Sequence, residues 1–320
     1  MPIDQSEKGQ GLCLLALFLA TIFIGSAALF IGPVSAPSWT IIQEIRLPRV
    51  ILAVIVGFGL AGAGTILQGV LRNPLADPFI LGTSAAATTG VIVASFLNLG
   101  HNLAMYVMAL GFALLSIFVV YRIANVRGKT PIQTIILAGV VVSLFFNAIV
   151  LIFFSISYRE SYTVLYYMLG TLTQGDSYLM FISGVIIVAG LVTTWLFSRE
   201  LNILTQGEMT AFHLGVDVEK AKKLLFISAS AMVAAAVTVS GMIGFVGLIV
   251  PHIIRILVGP NHRLLLPASA LGGAIFLVLA DSVARTVAAP VEVPVGAVTA
   301  LIGSPYFIYL LRRKQHSGEF

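Results

Sequence analysis

The residues in this sequence most suited to chemistry are a few charged side chains set within long apolar stretches. Asp281 and Arg285 stand four residues apart, the spacing at which two side chains meet on one face of a helix. An acidic residue inside an apolar helix usually marks a functional site. The spacing nevertheless favours a helical ion pair, and a proton relay would need more such residues. We therefore expect no proton-coupled transport from this pair.

The sequence argues against covalent chemistry in this chain. The stretch GKT at 128–130 resembles the end of a phosphate-binding loop, but Ile123 occupies the position where that pattern needs glycine. None of the five histidines stands in HExxH or in a Cys/His cluster with metal-ligand spacing. We therefore predict no catalytic residue, no bound metal and no cofactor of its own. Any ATP, with its magnesium, would be used by a partner.

The composition is that of an integral membrane protein. Of 320 residues, 58% are hydrophobic and 10% are charged, and the mean hydropathy is +1.03, whereas soluble proteins carry roughly 25% charged residues. The apolar runs are long enough for helices that cross a hydrocarbon core of about 30 Å. The single cysteine, Cys13, excludes a disulfide framework. We expect the lipid bilayer as the surroundings and no nucleic-acid partner.

These runs predict an all-α, polytopic fold of about ten transmembrane helices, forming one domain over residues 1–320. The predicted helices cover 11–31, 47–70, 80–99, 103–122, 132–156, 178–198, 224–242, 244–258, 264–283 and 294–311. Crowded glycines, among them Gly57, Gly64, Gly247 and Gly273, indicate helices that approach each other closely.

The distribution of lysine and arginine predicts the orientation. With the N-terminus inside, most of the basic residues lie on the cytoplasmic side, as the positive-inside rule requires. Both termini are then cytoplasmic, in a multi-pass protein of the cytoplasmic (inner) membrane. The outer side keeps four arginines, Arg46, Arg49, Arg159 and Arg285.

A polar loop at about 204–223 lies between two apolar runs on the predicted cytoplasmic side. Thr205 and Glu208 have the spacing of a capping box, and Gly215 can supply a left-handed stop. These signals predict a short helix from Glu208 to Leu214, and a second from Val218 to Lys223. The apolar residues expected on one side of the first helix are Met209, Ala211, Phe212 and Leu214. The helix either docks on a partner or lies on lipid headgroups.

Two other polar stretches flank the second predicted helix. Arg46 and Arg49, in RLPR, share a face at its outer end, where they either meet an acidic partner or snorkel to headgroups. At its inner end RNPLADP contains two prolines, which keep Asn73 and Leu75 out of a helix. That stretch forms either a constriction or a rigid turn. Further on, His252 in PHIIR is expected to cap or pack at a helix end.

Several stretches together resemble one family. They are RLPR (46–49), QGVLRNPLADPFILG (68–82), LAGV (137–140), the 207–215 loop, GFVGLIVPHIIR (244–255), HRLLLP (262–267), LADSVAR (279–285) and PVGAVTALIGSPYFIYLL (294–311). In this order they resemble the FecCD/BtuC-like permease subunits of type II ABC importers, which take up iron–siderophore complexes, haem and cobalamin. Tyr167 departs from the pattern, since relatives often carry tryptophan there.

The resemblance implies a homodimeric permease that works with two cytoplasmic ATP-binding-cassette subunits and an extracytoplasmic binding protein. It assigns Glu208, Ala211, Leu214 and Gly215 to coupling with the ATPase. It assigns Arg46, Arg49 and Arg285 to docking of the binding protein, and Asn73 and Leu75 to the cytoplasmic gate. The residues Pro251, His252 and Arg255 belong to a family motif.

The expected function is import of a metal chelate by alternating access, with an iron–siderophore or haem first and a corrinoid or an oxyanion as the alternative. Phenylalanines of the 132–156 helix either line the path or face lipid. An ion-coupled secondary transporter is the competing class. It would need a charged site at mid-membrane and no coupling loop, and the sequence has the opposite pattern.

Overall fold

The computed structural model describes residues 4–34, 37–97, 102–156, 161–172 and 176–317, and within these ranges the regular elements are all helical. The α-helices are α1 (Asp4–Ala28), α2 (Leu47–Val70), α3 (Thr83–Phe96), α4 (Asn102–Ala124), α5 (Ile132–Ile156), α6 (Ser161–Leu169), α7 (Ser177–Leu196), α8 (Ser198–Leu204), α9 (Glu208–His213), α10 (Val218–Ser240), α11 (Val246–Val258), α12 (His262–Thr286) and α13 (Val295–Ser317).

The ten predicted membrane helices are confirmed. Seven helices of the described chain are long and apolar enough to cross a membrane, and α3, α11 and α13 add three shorter apolar ones. The predicted helix at 80–99 begins later, because a 3₁₀ turn over Pro78–Leu81 precedes α3. Its predicted last residues, 98–99, lie outside the described residues.

One predicted element is wrong. The helix expected at Val218–Lys223 is not separate, because it forms the first turns of α10, which continues to Ser240. Asp217 caps this helix by accepting a hydrogen bond from the Lys220 backbone N–H at 3.2 Å. The polar start and the apolar remainder are therefore one rigid rod.

Helix α2 is the centre of the bundle and packs most extensively on α12, with α10 and α11 beside it. Glycines line these contacts, as predicted. A Cβ atom added to Gly57 would collide with the carbonyl oxygen of Gly273, and one on Gly64 would collide with that of Gly247. The helix backbones therefore touch directly, which is how helices associate in lipid, where apolar side chains have no drive to leave their surroundings.

Helix α1 lies at the edge of this bundle. In its most apolar stretch of 18 residues only 6% is buried, whereas in the corresponding stretch of Ile41–Val70 78% is buried. Helices α6 and α8 and the π-helix over Ile41–Arg46 were not predicted. They are short and mix polar with apolar residues, so their pattern does not stand out from that of a loop.

Candidate functional site

Helix α9 presents an apolar patch at one end of the bundle. The side chains of Met209, Phe212 and Leu214 are 71%, 68% and 60% exposed. Ala211 is fully buried. The expectation that all four residues line one side is therefore wrong, because Ala211 packs against the bundle while the three larger side chains point away from it. We call Met209, Phe212 and Leu214 the α9 patch.

The ends of α9 are set by glycines. Gly215 adopts φ +80°, and the backbone N–H groups of Gly215 and Val216 donate to the carbonyls of Phe212 and Ala211 at 3.0 Å each. This is a Schellman motif, so the predicted left-handed stop is confirmed. The predicted N-cap is wrong, since α9 begins after Gly207, and the Thr205 hydroxyl instead donates to the Asn202 carbonyl at 2.7 Å.

A buried lysine fastens α9 to the bundle. The Lys222 side chain is 3% exposed, and its Nζ lies 2.7 Å from Glu219 Oε1 and 3.2 Å from Glu208 Oε1. It also donates to the carbonyl of Thr130 at 3.0 Å. The Thr130 hydroxyl in turn donates to Glu219 Oε2 at 2.7 Å. This group, which we call the Lys222 network, joins α9, α10 and the turn before α5.

The predicted outer arginines lie together with two acids at the opposite end of α2. Arg49 Nε is 2.9 Å from Asp281 Oδ1, and Arg49 Nη1 is 2.6 Å from Glu292 Oε2. Arg285 Nε is 3.0 Å from Asp281 Oδ2, which confirms the predicted pair at four-residue spacing. Asp281 is 1% exposed, whereas the Glu292 side chain is 43% exposed. One carboxylate is thus a core residue and the other faces outward.

All three arginines are buried, which limits their contact with an external acid or with lipid headgroups. Arg46, Arg49 and Arg285 are 4%, 8% and 3% exposed. The two terminal nitrogens of Arg46 donate to the carbonyls of Leu29 and Val34 at 2.9 Å each. None of the three therefore snorkels freely to headgroups, and an external acid could reach them only by displacing an internal partner or by opening the packing around them. Arg159 lies outside the described residues.

The stretch after α2 is a sequence of side-chain-stabilised turns. Asn73 Oδ1 accepts the Leu75 backbone N–H at 2.9 Å, and Asp77 Oδ1 accepts that of Phe79 at 2.7 Å. Both bonds are local Asx-type contacts that replace helical ones. Asn73 and Leu75 are half-buried. Burial raises the pKa of Asp77 to about 6, against the lowering effect of the Phe79 hydrogen bond.

Gln68 compensates for a proline in the neighbouring helix. Pro251 lies inside α11 and has no N–H, so the carbonyl of Gly247 loses its helical donor. Gln68 Nε2 donates to the Leu248 carbonyl at 3.1 Å and to that of Gly247 at 3.4 Å. Arg255 Nη2 donates to Gln68 Oε1 at 3.1 Å. The Gln68 amide of α2 therefore contacts both the carbonyl left free by Pro251 and the guanidinium of Arg255.

Two other predicted residues also bind neighbouring elements. His252 lies within α11 and not at its end, and its ring centroid is 6.3 Å from that of Tyr306 in α13. The Tyr167 hydroxyl donates to the carbonyl of Val237 at 2.8 Å. These two contacts therefore join α11 to α13 and α6 to α10.

The phenylalanines of α5 differ in exposure, and their contact with the path or with lipid stays a prediction. Phe146 and Phe153 are buried in the chain, at 5% and 7% exposure, whereas Phe145 is 63% exposed. Beside the exposed face, Ser143 and Asn147 line a cavity of about 170 Å³ together with Ser84 and Thr88 of α3. This cavity contains hydroxyl and amide groups and no charged side chain among its lining residues.

Three important residues were not singled out from the sequence: Lys222, Glu292 and Gln68. Lys222 was counted only as one of several basic residues. Its spacing of three residues from Glu219 was an available signal for an ion pair. Gln68 and Glu292 have partners far away in the chain, so no local pattern identifies them.

Comparison with known proteins places this geometry in a family context. The model of the FecCD transport family matches residues 11–313. The cobalamin import system permease protein BtuC of Halobacterium salinarum is 45% identical over 275 residues, covering 86% of this chain and 74% of that protein. The hemin transport system permease protein HmuU of Yersinia pestis is 41% identical over 287 residues, covering 88% of this chain and 86% of that protein.

A solved structure is also similar over almost the whole chain. It is described as an inward-facing conformation of a metal-chelate type ABC transporter. It superposes with a TM-score of 0.85 at 31% identity, covering 95% of this chain and 99% of that one.

Proposed function

This chain belongs to the FecCD transport family and is a permease of an ABC importer for metal chelates, and from that premise we propose how it works. Two copies form a homodimer in the cytoplasmic membrane, with both termini in the cytoplasm. Two ATP-binding-cassette subunits dock on the α9 patches and hydrolyse ATP with magnesium. An extracytoplasmic binding protein delivers the chelate at the opposite end.

The observation that carries this proposal is the α9 patch. Met209, Phe212 and Leu214 hold large apolar side chains outward on a helix that is fastened to the bundle. Exposed apolar patches of this kind mark interaction sites. An amphipathic helix with such anchors fits a groove on a partner protein. Because ATP-bound and ADP-bound partners would bind the two conformations of the permease unequally, the chelate path alternates between outward and inward opening.

For the cargo, we propose a metal complex of a large macrocycle, haem or a corrinoid, in preference to an iron–siderophore. The two relatives described above carry names for hemin and cobalamin transport. The exposed face of α5, with Leu137, Leu144 and Phe145 more than 60% exposed, offers apolar surface to such a molecule. Uptake of haem, cyanocobalamin and a ferric hydroxamate into proteoliposomes with the partner subunits tests this. Transport of the hydroxamate in preference to both macrocycles would contradict it.

Coupling is tested with Leu214→Asp in nanodiscs that contain the ATPase and the binding protein. The new carboxylate enters an apolar contact without a partner, so binding-protein-stimulated ATP hydrolysis should fall about tenfold or more. Val126→Asp is the matched control, because Val126 is 52% exposed in the turn before α5 and lies outside the patch. Equal losses in the two variants, or an unaffected Leu214→Asp, would rule out docking through α9.

A further inference from the structure

A cavity of about 600 Å³ lies between α4 and α10 at the end of the bundle that carries α9. Its walls are apolar side chains, Leu114, Ile117 and Phe118 from α4 and Ile227 from α10. Its other end is lined by Arg122 and Lys223. From this arrangement we propose a binding site for one anionic phospholipid, with the headgroup phosphate between the two cations and an acyl chain along the apolar walls.

The two cations are held at the cavity by aromatic rings. The Arg122 guanidinium carbon lies 5.9 Å from the centroid of Phe118, and Lys223 Nζ lies 5.9 Å from that of Tyr121. These are cation–π contacts, which restrict where a long side chain points. Arg122 and Lys223 come from helices far apart in the chain, yet both line the same cavity. The site is therefore formed by the fold and not by a local run of basic residues.

The positive charge at this cavity is not neutralised within the described chain. Among the described residues, neither Arg122 nor Lys223 lies within ion-pair distance of a carboxylate. The nearby carboxylate of Glu219 is already engaged by Lys222 and Thr130. Arg127 and Lys129 are exposed in the turn that follows α4 and extend the positive field. Basic pockets between membrane helices on the cytoplasmic side attract anionic headgroups.

The length of the apolar wall fits the part of an acyl chain next to the headgroup. From Tyr121 to Leu114 the wall follows α4 for two turns, about 10 Å at the rise of an α-helix. Free phosphate would gain nothing from this wall, so the proposed ligand is a lipid and not a soluble anion. Its placement in the cytoplasmic leaflet rests on the orientation proposed above, whereas the existence of the site does not.

The test is native mass spectrometry of the purified full-length protein titrated with dioleoyl phosphatidylglycerol or dioleoyl phosphatidylcholine. We expect one phosphatidylglycerol per chain to bind with clear preference over phosphatidylcholine. The double variant Arg122→Gln/Lys223→Gln should weaken that binding about 30-fold, since each cation near an anionic headgroup contributes roughly fivefold. Inorganic phosphate should not compete.

The matched control is Arg263→Gln. Arg263 lies over the Trp195 ring at 5.7 Å, a similar cation–π contact in a residue that does not line the cavity. This variant should bind phosphatidylglycerol as the wild type does. Ile227→Trp, which fills the cavity but keeps both charges, should bind it weakly. Equal binding by the wild type and the double variant, or full binding by Ile227→Trp, would overturn the site.

Discussion

Asp281 and Glu292 both pair with Arg49, but their different burial gives the two ion pairs different contributions to stability. Asp281 is 1% exposed and is shared by two arginines, whereas the Glu292 side chain is 43% exposed. A buried ion pair leaves an uncompensated charge when one member is removed, and an exposed pair does not. The same arginine therefore has one structural partner and one partner that an external acid can replace.

We expect Asp281→Asn to lower the free energy of unfolding by about 3–5 kcal/mol, because Arg49 and Arg285 lose their shared charge partner in the core. Glu292→Gln, the control, should cost at most about 1 kcal/mol. Thermal unfolding of both variants in the same detergent measures the difference. If the two variants unfold at the same temperature, the buried cluster does not stabilise the fold.

The arginines also show how far single residues could be predicted. The predicted topology placed Arg46, Arg49 and Arg285 on the same side, and helical spacing, which is local, predicted the Asp281–Arg285 pair. The sequence did not predict that all three arginines turn inward. Arg46, for example, donates to the carbonyls of Leu29 and Val34. Such contacts depend on how helices pack, which no local pattern specifies.

Among the helices, the contacts of α2 depend on the absence of side chains. Gly57 lies against the backbone of α12 and Gly64 against that of α11, with no room for a Cβ atom at either position. A larger residue would push two helices apart along their length. Gly111 of α4 offers a contrast, since nothing lies within 4 Å of a Cβ added there.

Gly64→Ala should destabilise the protein by about 1–3 kcal/mol, the usual cost of overpacking. Gly111→Ala should be neutral or stabilising by about 0.5–1 kcal/mol, because alanine favours the helix and meets no neighbour. Thermal unfolding in detergent distinguishes the two. A stable Gly64→Ala variant would mean that α2 and α11 tolerate a wider separation than the structure has.

Among the elements, the sequence best predicted the helices that length and apolarity alone identify. The seven long apolar helices and the three shorter ones of the described chain were all predicted, and residues 47–70 and 132–156 have the predicted bounds. The predicted start of α9 at Glu208 is confirmed, but its N-cap was misassigned to Thr205, because Gly207 immediately precedes the helix. The short helices α6 and α8 were missed because two turns that mix polar with apolar residues resemble a loop.

In the molecule as a whole, the Lys222 network is one connection from the α9 patch to the membrane helices. Lys222 holds Glu208 of α9, Glu219 of α10 and the Thr130 carbonyl before α5 in one buried group. If α9 moves as proposed, this group would transmit the movement to α10 and to the turn before α5. Sequence predicted the α9 segment and its role as an expectation, but not the lysine that connects it.

Lys222→Met should leave ATP hydrolysis in place and reduce the chelate transported per ATP several-fold, because Glu208 and Glu219 lose the charge that joins them. The control is Lys220→Met, whose side chain is 87% exposed and pairs only with Asp217 among the described ion pairs. Uptake and hydrolysis measured in the same proteoliposomes give the ratio. An unchanged ratio in Lys222→Met, or the same fall in Lys220→Met, would exclude this route.

The pairing of α2 with α12 also constrains the time course of biosynthesis. Roughly 200 residues separate Val70 from His262, and at about 5–20 residues per second a ribosome needs about 10–40 s to make them. The other large partners of α2, α10 and α11, also emerge late. During that interval the glycine-lined face of α2 has only lipid or earlier helices against it. Helix α2 is thus among the first parts to enter the membrane and among the last to complete its packing contacts.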